Sequence, residues 1–567
     1  MSERAGQIQQ AAEWVAGLAP SDVPADVIAL AKAQRINVIA TMFAGSRTAS
    51  GRRVIAAVDA VESGGPVASL PDGKRRSLLA AAFVGAACGT ALELDDFVFA
   101  GHTGQSAVTV PLMLGQVTGA SGEEALVAQI AANEVAGRLG AVMTAGPQHG
   151  HMKAYLHRAA AATAASRLLK LDADATARAL AIALGAPEYP LFPASWSADT
   201  KVMCTGDPVV AGIRAAYVAA EGLDAALDIV EHPLGLVPSL SHHGTAPPVW
   251  DRLGLTWSTQ AICFKPVCAC AYACAAAEAA AALVEGEGAA WTPEKVRSVD
   301  VDTTLLTLTM EGLSRPHRPG LITVVNTNFS TRRTVALCLL AGRPTGEHFV
   351  AERFAGLRDP IAALSERIQL RHHWPYTIDL LRGVDAAIDY PGRPGIYGMV
   401  EGHRTFDRFK AEFGTPPALS LADAPALIRL GRADLWYVLR RYAIGLRSRL
   451  PFRGGPSERD AYRARETDLR RMSLRFGAGV RITLDDGRRL WHEILTPSGF
   501  AGDPARAAIP PAKFRREVGA VTSPEGAERL LRLLGREPTA SPLEVVTAAF
   551  LGGDSRLAGD PLEGAGA

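Results

Sequence analysis

Two aspartates and a histidine lie close together in an otherwise apolar stretch of the sequence. Asp95 and Asp96 follow an apolar segment, and the short apolar turn 97–101 separates them from His102. Burial and a neighbouring carboxylate move the pKa values of such groups towards neutrality, where a side chain can both accept and donate a proton. The pattern therefore indicates an acid/base site. A helix cap beside a surface histidine is the alternative interpretation.

Two lysines and a second histidine are candidates for contact with an anionic substrate. Lys201 precedes a helix that we predict to begin near Pro208, and a helix N-terminus favours an anion. Lys265 lies in an apolar run at the junction of the two halves of the chain, where clefts form and a buried cation requires an anionic partner. His151 lies in a loop before a predicted helix and could face the same cleft. An ordinary solvated lysine is the alternative for Lys201.

The remaining histidines and cysteines lack the spacing of metal ligands. Three histidines between positions 149 and 157 have no carboxylate or thiol beside them at ligand spacing. Cys268, Cys270 and Cys274 lack the Cys-x2-Cys runs of iron–sulfur proteins, and the helix predicted for them would point the first two apart. Dinucleotide, P-loop and zinc-protease motifs are also missing from the sequence. We therefore expect no metal and no organic cofactor.

The composition excludes several classes of function. The chain has 567 residues, more than one core usually supports, so two domains are expected. Its 59 basic and 58 acidic side chains give a net charge of +1, which provides no overall field for nucleic acid or an anionic membrane. The polar N-terminus does not resemble a signal peptide, and seven cysteines, an odd number, argue against a disulfide framework. We expect a cytoplasmic protein.

The acid/base residues lie in the first half of the chain, where the sequence predicts helices on either side of their turn. Apolar residues recur there at helical spacing, and polar start signals precede several segments. The predicted helices span residues 25–43, 77–92, 122–140, 159–171, 175–184 and 209–221. This half is therefore predicted to be all-α.

The second half combines strands with helices. Residues 299–309 are rich in β-branched side chains and predict a strand, and residues 330–340 predict a helix. Segments 479–484 and 488–490, joined through an Asp-Gly turn, predict a β-hairpin. Residues 372–470 follow neither pattern, and we interpret them as an insertion.

Taken in order, these segments resemble the MmgE/PrpD family, which includes 2-methylcitrate dehydratases and cis-aconitate decarboxylases. The resemblance covers most of the chain. It begins with Glu93-Leu94-Asp95-Asp96 and His102-Thr103-Gly104, and the order of many segments carries it rather than any single motif. Further matching segments are 119–122, 133–140, 159–171, 200–206, 265–270, 328–342 and 486–488.

The resemblance also assigns roles to residues. The catalytic residues that it implies are His102, His151, Glu93, Asp95 and Asp96, and the substrate-binding residues are Lys201, Lys265, Thr103 and Cys270. His157 competes with His151 for the second histidine position. The lysines would bind carboxylates and stabilise enolate-like charge, while the histidines transfer protons. Glu93 stands where the family has Asp, Phe97 where cis-aconitate decarboxylases have Thr, and Cys274 where family members commonly have a histidine.

The family implies a mainly α protein with a smaller α+β lid domain. Residues 1–264 and 505–567 would form the helical domain, and residues 265–504 the lid, with the insertion at about 372–470. The resemblance further implies a homodimer and a small polycarboxylate substrate. Dehydration is the favoured reaction, with decarboxylation or epimerisation as alternatives. A binding protein without catalytic activity is the alternative from another class.

Overall fold

A computed structural model shows a chain that is mainly helical with small sheets. The structure describes residues 6–62, 64–99, 101–143, 153–188, 191–240, 249–250, 252–314, 318–387, 424–447 and 468–550. The α-helices in the first half of the chain are α1 (Gln7–Gly17), α2 (Ala25–Ser46), α3 (Ala49–Val61), α4 (Leu78–Thr90), α5 (Gly104–Ala107), α6 (Thr109–Thr118), α7 (Gly122–Met143), α8 (Lys153–Leu168), α9 (Ala173–Gly185), α10 (Phe192–Trp196), α11 (Met203–Ala220) and α12 (Leu236–Leu240).

The second half contains shorter helices and most of the strands. Its helices are α13 (Cys274–Glu287), α14 (Leu305–Glu311), α15 (Val324–Asn328), α16 (Thr331–Ala341), α17 (Ala351–Ser365), α18 (Trp374–Asp385), α19 (Ala424–Ile428), α20 (Arg432–Arg447), α21 (Ile509–Gly519), α22 (Pro524–Leu534) and α23 (Pro542–Phe550). The strands among the described residues are β1 (Val67–Ala68), β2 (Arg75–Arg76), β3 (Asp96–Phe97), β4 (Cys263–Phe264), β5 (Val296–Thr303), β6 (Ile368–His372), β7 (Ala478–Leu484) and β8 (Arg489–Ile494).

One apolar core joins helices from both ends of the chain. Leu139 of α7, Leu180 of α9 and Ile213 of α11 share this core with Phe514 of α21. Small residues let the central helices approach closely, since a Cβ added to Gly212 of α11 would lie 2.5 Å from the carbonyl oxygen of Arg158 in α8. The helical character predicted for the first half is confirmed. The division into two domains stays a prediction.

α2 is long and apolar enough to cross a membrane by length and composition, and among the described residues it alone meets that criterion. Most of its apolar window is buried inside the protein. It carries the buried polar residues Gln34, Arg35 and Asn37. Two of these, Gln34 and Asn37, contribute to the site described below.

A four-stranded sheet forms the centre of a second apolar core. Its strand order is β6-β5-β7-β8, with β5 parallel to β6 and antiparallel to β7. The predicted hairpin is confirmed as β7 and β8, and the turn between them places Gly487 at a φ of +85°, which glycine adopts without strain. α13 and α16 contribute to the same core through residues such as Ala276 and Leu337.

Three sequence predictions need correction. The strand predicted over 299–309 ends at Thr303, because the Thr304 hydroxyl accepts the Thr307 N–H and caps α14. The cysteine-rich segment predicted to be helical becomes an α-helix only at Cys274. The helix predicted to begin near Pro208 begins at Met203 and includes that proline.

The segment interpreted as an insertion is described only in part. It begins at His372, the last residue of β6, and contains α18, α19 and α20. Residues 388–423 and 448–467 lie outside the described part of the chain. The interpretation as an insertion stays a prediction.

Candidate active site

A short strand pair brings distant parts of the chain to the acidic motif. β3 pairs with β4 in antiparallel register, so Asp96 lies opposite Phe264 and Phe97 opposite Cys263. This pairing places Lys265, the residue after β4, beside the turn that precedes β3. The anionic partner expected for a buried Lys265 is therefore supplied by the acidic motif itself.

The Glu93 carboxylate binds the ammonium groups of both predicted lysines. Its Oε1 lies 2.6 Å from Nζ of Lys201, and its Oε2 lies 2.6 Å from Nζ of Lys265. Lys265 also lies 2.9 Å from Oδ1 of Asp95. All four side chains are buried. Two carboxylates thus balance two ammonium groups, and direct contact of the lysines with a substrate stays a prediction.

This mutual pairing keeps the groups charged despite their burial. Burial alone lowers the pKa of Lys265, but the neighbouring Asp95 and Glu93 carboxylates outweigh it and the pKa is raised. Burial alone raises the pKa of Asp95, but the nearby His102 and Lys265 outweigh it and hold that pKa well below its usual value. Asp95 is therefore a carboxylate, and Lys265 an ammonium, throughout the neutral pH range.

Asp95 also orients His102. The Oδ2 atom of Asp95 lies 2.7 Å from Nδ1 of His102 and accepts a hydrogen bond of 2.5 Å from Nε2 of Gln105. The His102 side chain is 12% exposed, whereas that of Asp95 is fully buried. An imidazole held through Nδ1 by a carboxylate presents Nε2 for proton exchange with a ligand. This is the geometry expected of a general acid or base.

Aromatic rings surround the charged groups. Nζ of Lys201 lies 5.4 Å from the ring centre of Phe329, whose ring stacks on Trp196 at 4.3 Å. The ring of Phe97 lies 6.2 Å from that of His102 and 5.1 Å from that of Phe500. Such apolar walls reduce screening by solvent, so the ion pairs and the imidazole interact more strongly than they would in water.

Asp96 points away from these charges into a network of neutral polar side chains. Its Oδ2 accepts a 2.7 Å hydrogen bond from Nε2 of Gln34, whose Oε1 accepts one of 2.7 Å from Nδ2 of Asn133. The Thr103 hydroxyl donates to Oδ1 of Asn133 at 2.7 Å. A Cβ added to Gly104 would lie 2.1 Å from Oδ1 of Asp96, which explains the need for glycine there. Asp96 and Thr103 therefore stabilise the turn through this network, and their catalytic and substrate-binding roles stay predictions.

Asp96→Asn is expected to remove a pH dependence of folding stability. Burial raises the pKa of Asp96 to about 6, although the Gln34 hydrogen bond opposes the shift. Because the unfolded carboxyl ionises near pH 4, the stabilising contribution of Asp96 is present below that pH and is lost as pH rises through about 6, at a cost of about 3 kcal/mol. Urea unfolding of the wild type and the variant at several pH values between 4 and 7 measures this loss.

The control for this experiment is Asp224→Asn, which changes an exposed aspartate. The pH profiles of the wild type and this control should run in parallel. Relative to both, the free energy of unfolding of Asp96→Asn should rise by about 3 kcal/mol between about pH 4 and about pH 6, because the variant lacks the ionisation of the buried carboxyl. If all three proteins share one pH profile, the burial of an ionisable Asp96 is wrong.

Of the two histidines that compete for the second catalytic position, the structure describes only His157. His151 lies outside the described residues. His157 is buried on α8, and its Nδ1 lies 2.9 Å from the hydroxyl of Ser106, four residues after His102. His157 therefore packs against Ser106 of α5, the short helix that follows His102, and is buried there. The choice between His151 and His157 stays a prediction.

Cys270 lies at the edge of the same site. It is 9% exposed, and its backbone N–H donates to the carbonyl of Asn328 at 2.8 Å. Burial raises the pKa of the neighbouring Cys268 and Cys274 thiols. These two thiols therefore remain protonated at neutral pH. Contact of Cys270 with a substrate stays a prediction.

Glu93, Asp95 and His102 also form a donor set that could hold a metal ion. One ligand atom of each lies within 4.8 Å of the others. However, the ammonium of Lys265 already contacts both carboxylates, so a divalent cation would meet a like charge there. Glu93 and Asp95 therefore suit the ammonium group of Lys265 better than a metal ion.

Four supporting residues were not selected from the sequence as site residues: Gln34, Asn133, Asn328 and Lys513. Asn133 and Asn328 lie in segments that carried the family resemblance, so that comparison offered a signal for them. Gln34 and Lys513 lie on helices far from the acidic motif in sequence, and no local spacing marks them.

The chain is similar in sequence to a known family and to named proteins. Residues 9–248 match the model of the MmgE/PrpD N-terminal domain. A cis-aconitate decarboxylase-like protein of Aspergillus oryzae is 31% identical over 182 residues, which are 30% of this chain and 38% of that protein. A cis-aconitate decarboxylase of Aspergillus terreus is 25% identical over 284 residues, which are 47% of this chain and 58% of that protein. The matches thus span between about two fifths and three fifths of these relatives.

Proposed function

We propose that this chain is an MmgE/PrpD-type lyase for a small polycarboxylic acid, because its residues 9–248 match the model of the MmgE/PrpD N-terminal domain. His102, oriented by Asp95, would be the group that moves the proton. The observation that carries the proposal is this dyad, partly exposed and set against the buried Lys201–Glu93–Lys265 network. Both the family and its named relatives support lyase chemistry.

Decarboxylation is the reaction that the relatives favour, because those matched are named cis-aconitate decarboxylases or decarboxylase-like. In that reaction the bond between carbon and a departing carboxylate breaks, and CO2 leaves. The electron pair stays on carbon, and the His102 imidazolium donates the proton that completes the product. The Asp95 carboxylate stabilises the imidazolium before transfer. In dehydration, His102 would instead act as the base that removes a proton beside a carboxylate, and its imidazolium would return that proton to the departing hydroxyl, which leaves as water.

A substrate screen followed by proton NMR in deuterated water tests the proposal. Hydroxy and unsaturated di- and tricarboxylic acids, cis-aconitate included, are incubated with the protein. Release of CO2, with one deuterium on the carbon that lost its carboxylate, identifies a decarboxylase. Loss of water from the substrate identifies a dehydratase. Deuterium exchange without net reaction identifies an epimerase.

The alternative of a binding protein has a separate signature. Such a protein would bind acids in isothermal titration without turnover, and His102→Ala would leave that binding unchanged. This pair of results would contradict the lyase proposal. The predicted homodimer is retained as a proposal, and light scattering of the purified chain measures it.

A further inference from the structure

Three carbonyl groups of the acidic turn are held by side chains from distant parts of the chain. The carbonyl of Thr90 accepts a hydrogen bond of 2.5 Å from Nζ of Lys201. The carbonyl of Leu92 accepts one of 2.9 Å from Nδ2 of Asn328, and that of Leu94 one of 2.7 Å from Nζ of Lys513. The donors are 111, 236 and 419 residues away in sequence.

These carbonyls need such donors because the turn has no regular hydrogen-bond ladder. α4 ends at Thr90, and the last carbonyls of a helix have no partner within the helix. β3 begins only at Asp96. Between them Glu93 has a φ of +52°, a left-handed conformation that surrounding contacts must enforce on a non-glycine residue. The carbonyls of Thr90, Leu92 and Leu94 are therefore held by side chains from outside the turn. These contacts set the direction of the Glu93 and Asp95 side chains between them.

Lys513 attaches the turn to two helices of the helical core. It lies on α21 and is 1% exposed, and its Nζ also donates to Oδ1 of Asn37 on α2 at 2.6 Å. Burial lowers its pKa to about 7. Both of its partners are acceptors, and an amine with two N–H groups serves them as well as an ammonium does. The contact therefore persists in either protonation state.

Asn328 attaches the same turn to the other side of the site. It is the last residue of α15 and is buried, and its amide donates to Leu92. Its own backbone carbonyl accepts the N–H of Cys270 at 2.8 Å. Asn328 therefore links the acidic turn to the segment that follows Lys265.

We propose that Lys513 and Asn328 are positioning residues of the active site, which hold the Leu92 and Leu94 carbonyls and thereby aim Glu93 and Asp95. The catalytic part of this proposal rests on the proposed lyase function. Neither residue needs to touch substrate. Loss of either donor frees a carbonyl on one side of Glu93, so the Asp95–His102 dyad loses its alignment.

The test compares Lys513→Met and Asn328→Asp with the wild type. Methionine keeps the length of the lysine stem, and aspartate keeps the shape of asparagine, but both remove the N–H donors. Hydrogen–deuterium exchange of peptides covering residues 89–98 should become at least about tenfold faster in both variants, because the freed turn opens locally. Lys170→Met, at a lysine whose side chain is 80% exposed, is the matched control and should exchange as the wild type does.

Turnover provides the second measurement. Small misplacements of reacting groups lower kcat strongly, so both variants should lose at least about tenfold in kcat while KM changes less than about threefold. A loss of folding alone would lower the fraction of active protein in proportion to unfolded signal in circular dichroism, which the same samples record. Lys513→Arg, which retains buried donors, should recover part of the lost kcat.

The outcomes distinguish failure of the positioning role of Lys513 and Asn328 from failure of the lyase function. Wild-type exchange of residues 89–98 in both variants would show that the carbonyl contacts do not hold the turn, and would overturn the inference. Faster exchange with unchanged kcat would overturn the positioning role. If the wild type acts on none of the acids, the lyase proposal fails, whereas the exchange result still decides whether Lys513 and Asn328 hold the turn.

Discussion

His102→Ala is expected to lower kcat by about 10²–10⁴-fold, the usual contribution of a positioned general acid or base. The imidazole is held by Asp95 at 2.7 Å and is the partly exposed member of the dyad. Alanine removes the proton carrier without adding bulk. Asp95 keeps its contacts with Lys265 and Gln105 in this variant, so the far-ultraviolet circular dichroism should match that of the wild type. Steady-state kinetics on the acid identified by the screen measure the effect.

Two further variants sharpen this result. His232→Ala changes an exposed histidine and should retain wild-type kcat. Asp95→Asn keeps the shape of the side chain but removes the charge that orients the imidazole and stabilises its protonated form, so kcat should fall as well. If His102→Ala turns over substrate like His232→Ala, the assignment of His102 as the proton carrier is wrong.

Glu93→Gln is expected to reduce the free energy of unfolding by about 3–5 kcal/mol, the cost of breaking a buried ion pair by removing one partner. Glu93 binds both Lys201 and Lys265, and all three side chains are at most 2% exposed. Glutamine supplies one neutral acceptor oxygen for two ammonium groups. Lys265 retains Asp95, but Lys201 loses its carboxylate partner. Urea denaturation at pH 7 measures the change.

The control for this prediction is Glu352→Gln. Glu352 pairs with Arg52, but its side chain is 71% exposed, so the substitution should cost at most about 1 kcal/mol. Adding Lys201→Met to Glu93→Gln should recover part of the lost stability, because it removes an ammonium group that faced the Glu93 carboxylate. Equal midpoints for Glu93→Gln and Glu352→Gln would show that the buried network does not carry this energy.

Local patterns in the sequence were sufficient for most helices and for the hairpin. α2, α4 and α7 coincide with the long Ala- and Leu-rich segments that predicted them, and the Asp-Gly turn predicts β7 and β8. The errors occur where a single side chain competes with the pattern. Thr304 caps α14 and ends β5 early, although the residues after it include β-branched threonines.

The acidic motif and its histidine were also visible in the sequence, because they lie within ten residues of one another in an apolar setting. The different protonation behaviour of the two aspartates could not be seen in the sequence. Asp95 and Asp96 are neighbours, yet the pKa of Asp95 is held well below its usual value and that of Asp96 is raised to about 6. The difference arises because one faces Lys265 and His102, and the other faces the neutral amide of Gln34.

The sequence by itself determined the helical periodicity, the hairpin and the residue types that can transfer protons. Only the tertiary structure decided which charges meet. The β3–β4 pair brings Lys265 to Glu93 across 172 residues, and α21 brings Lys513 to Leu94 across 419. The physical reason is that periodicity reports which face of an element is buried, whereas the partner of a buried charge depends on how distant elements pack.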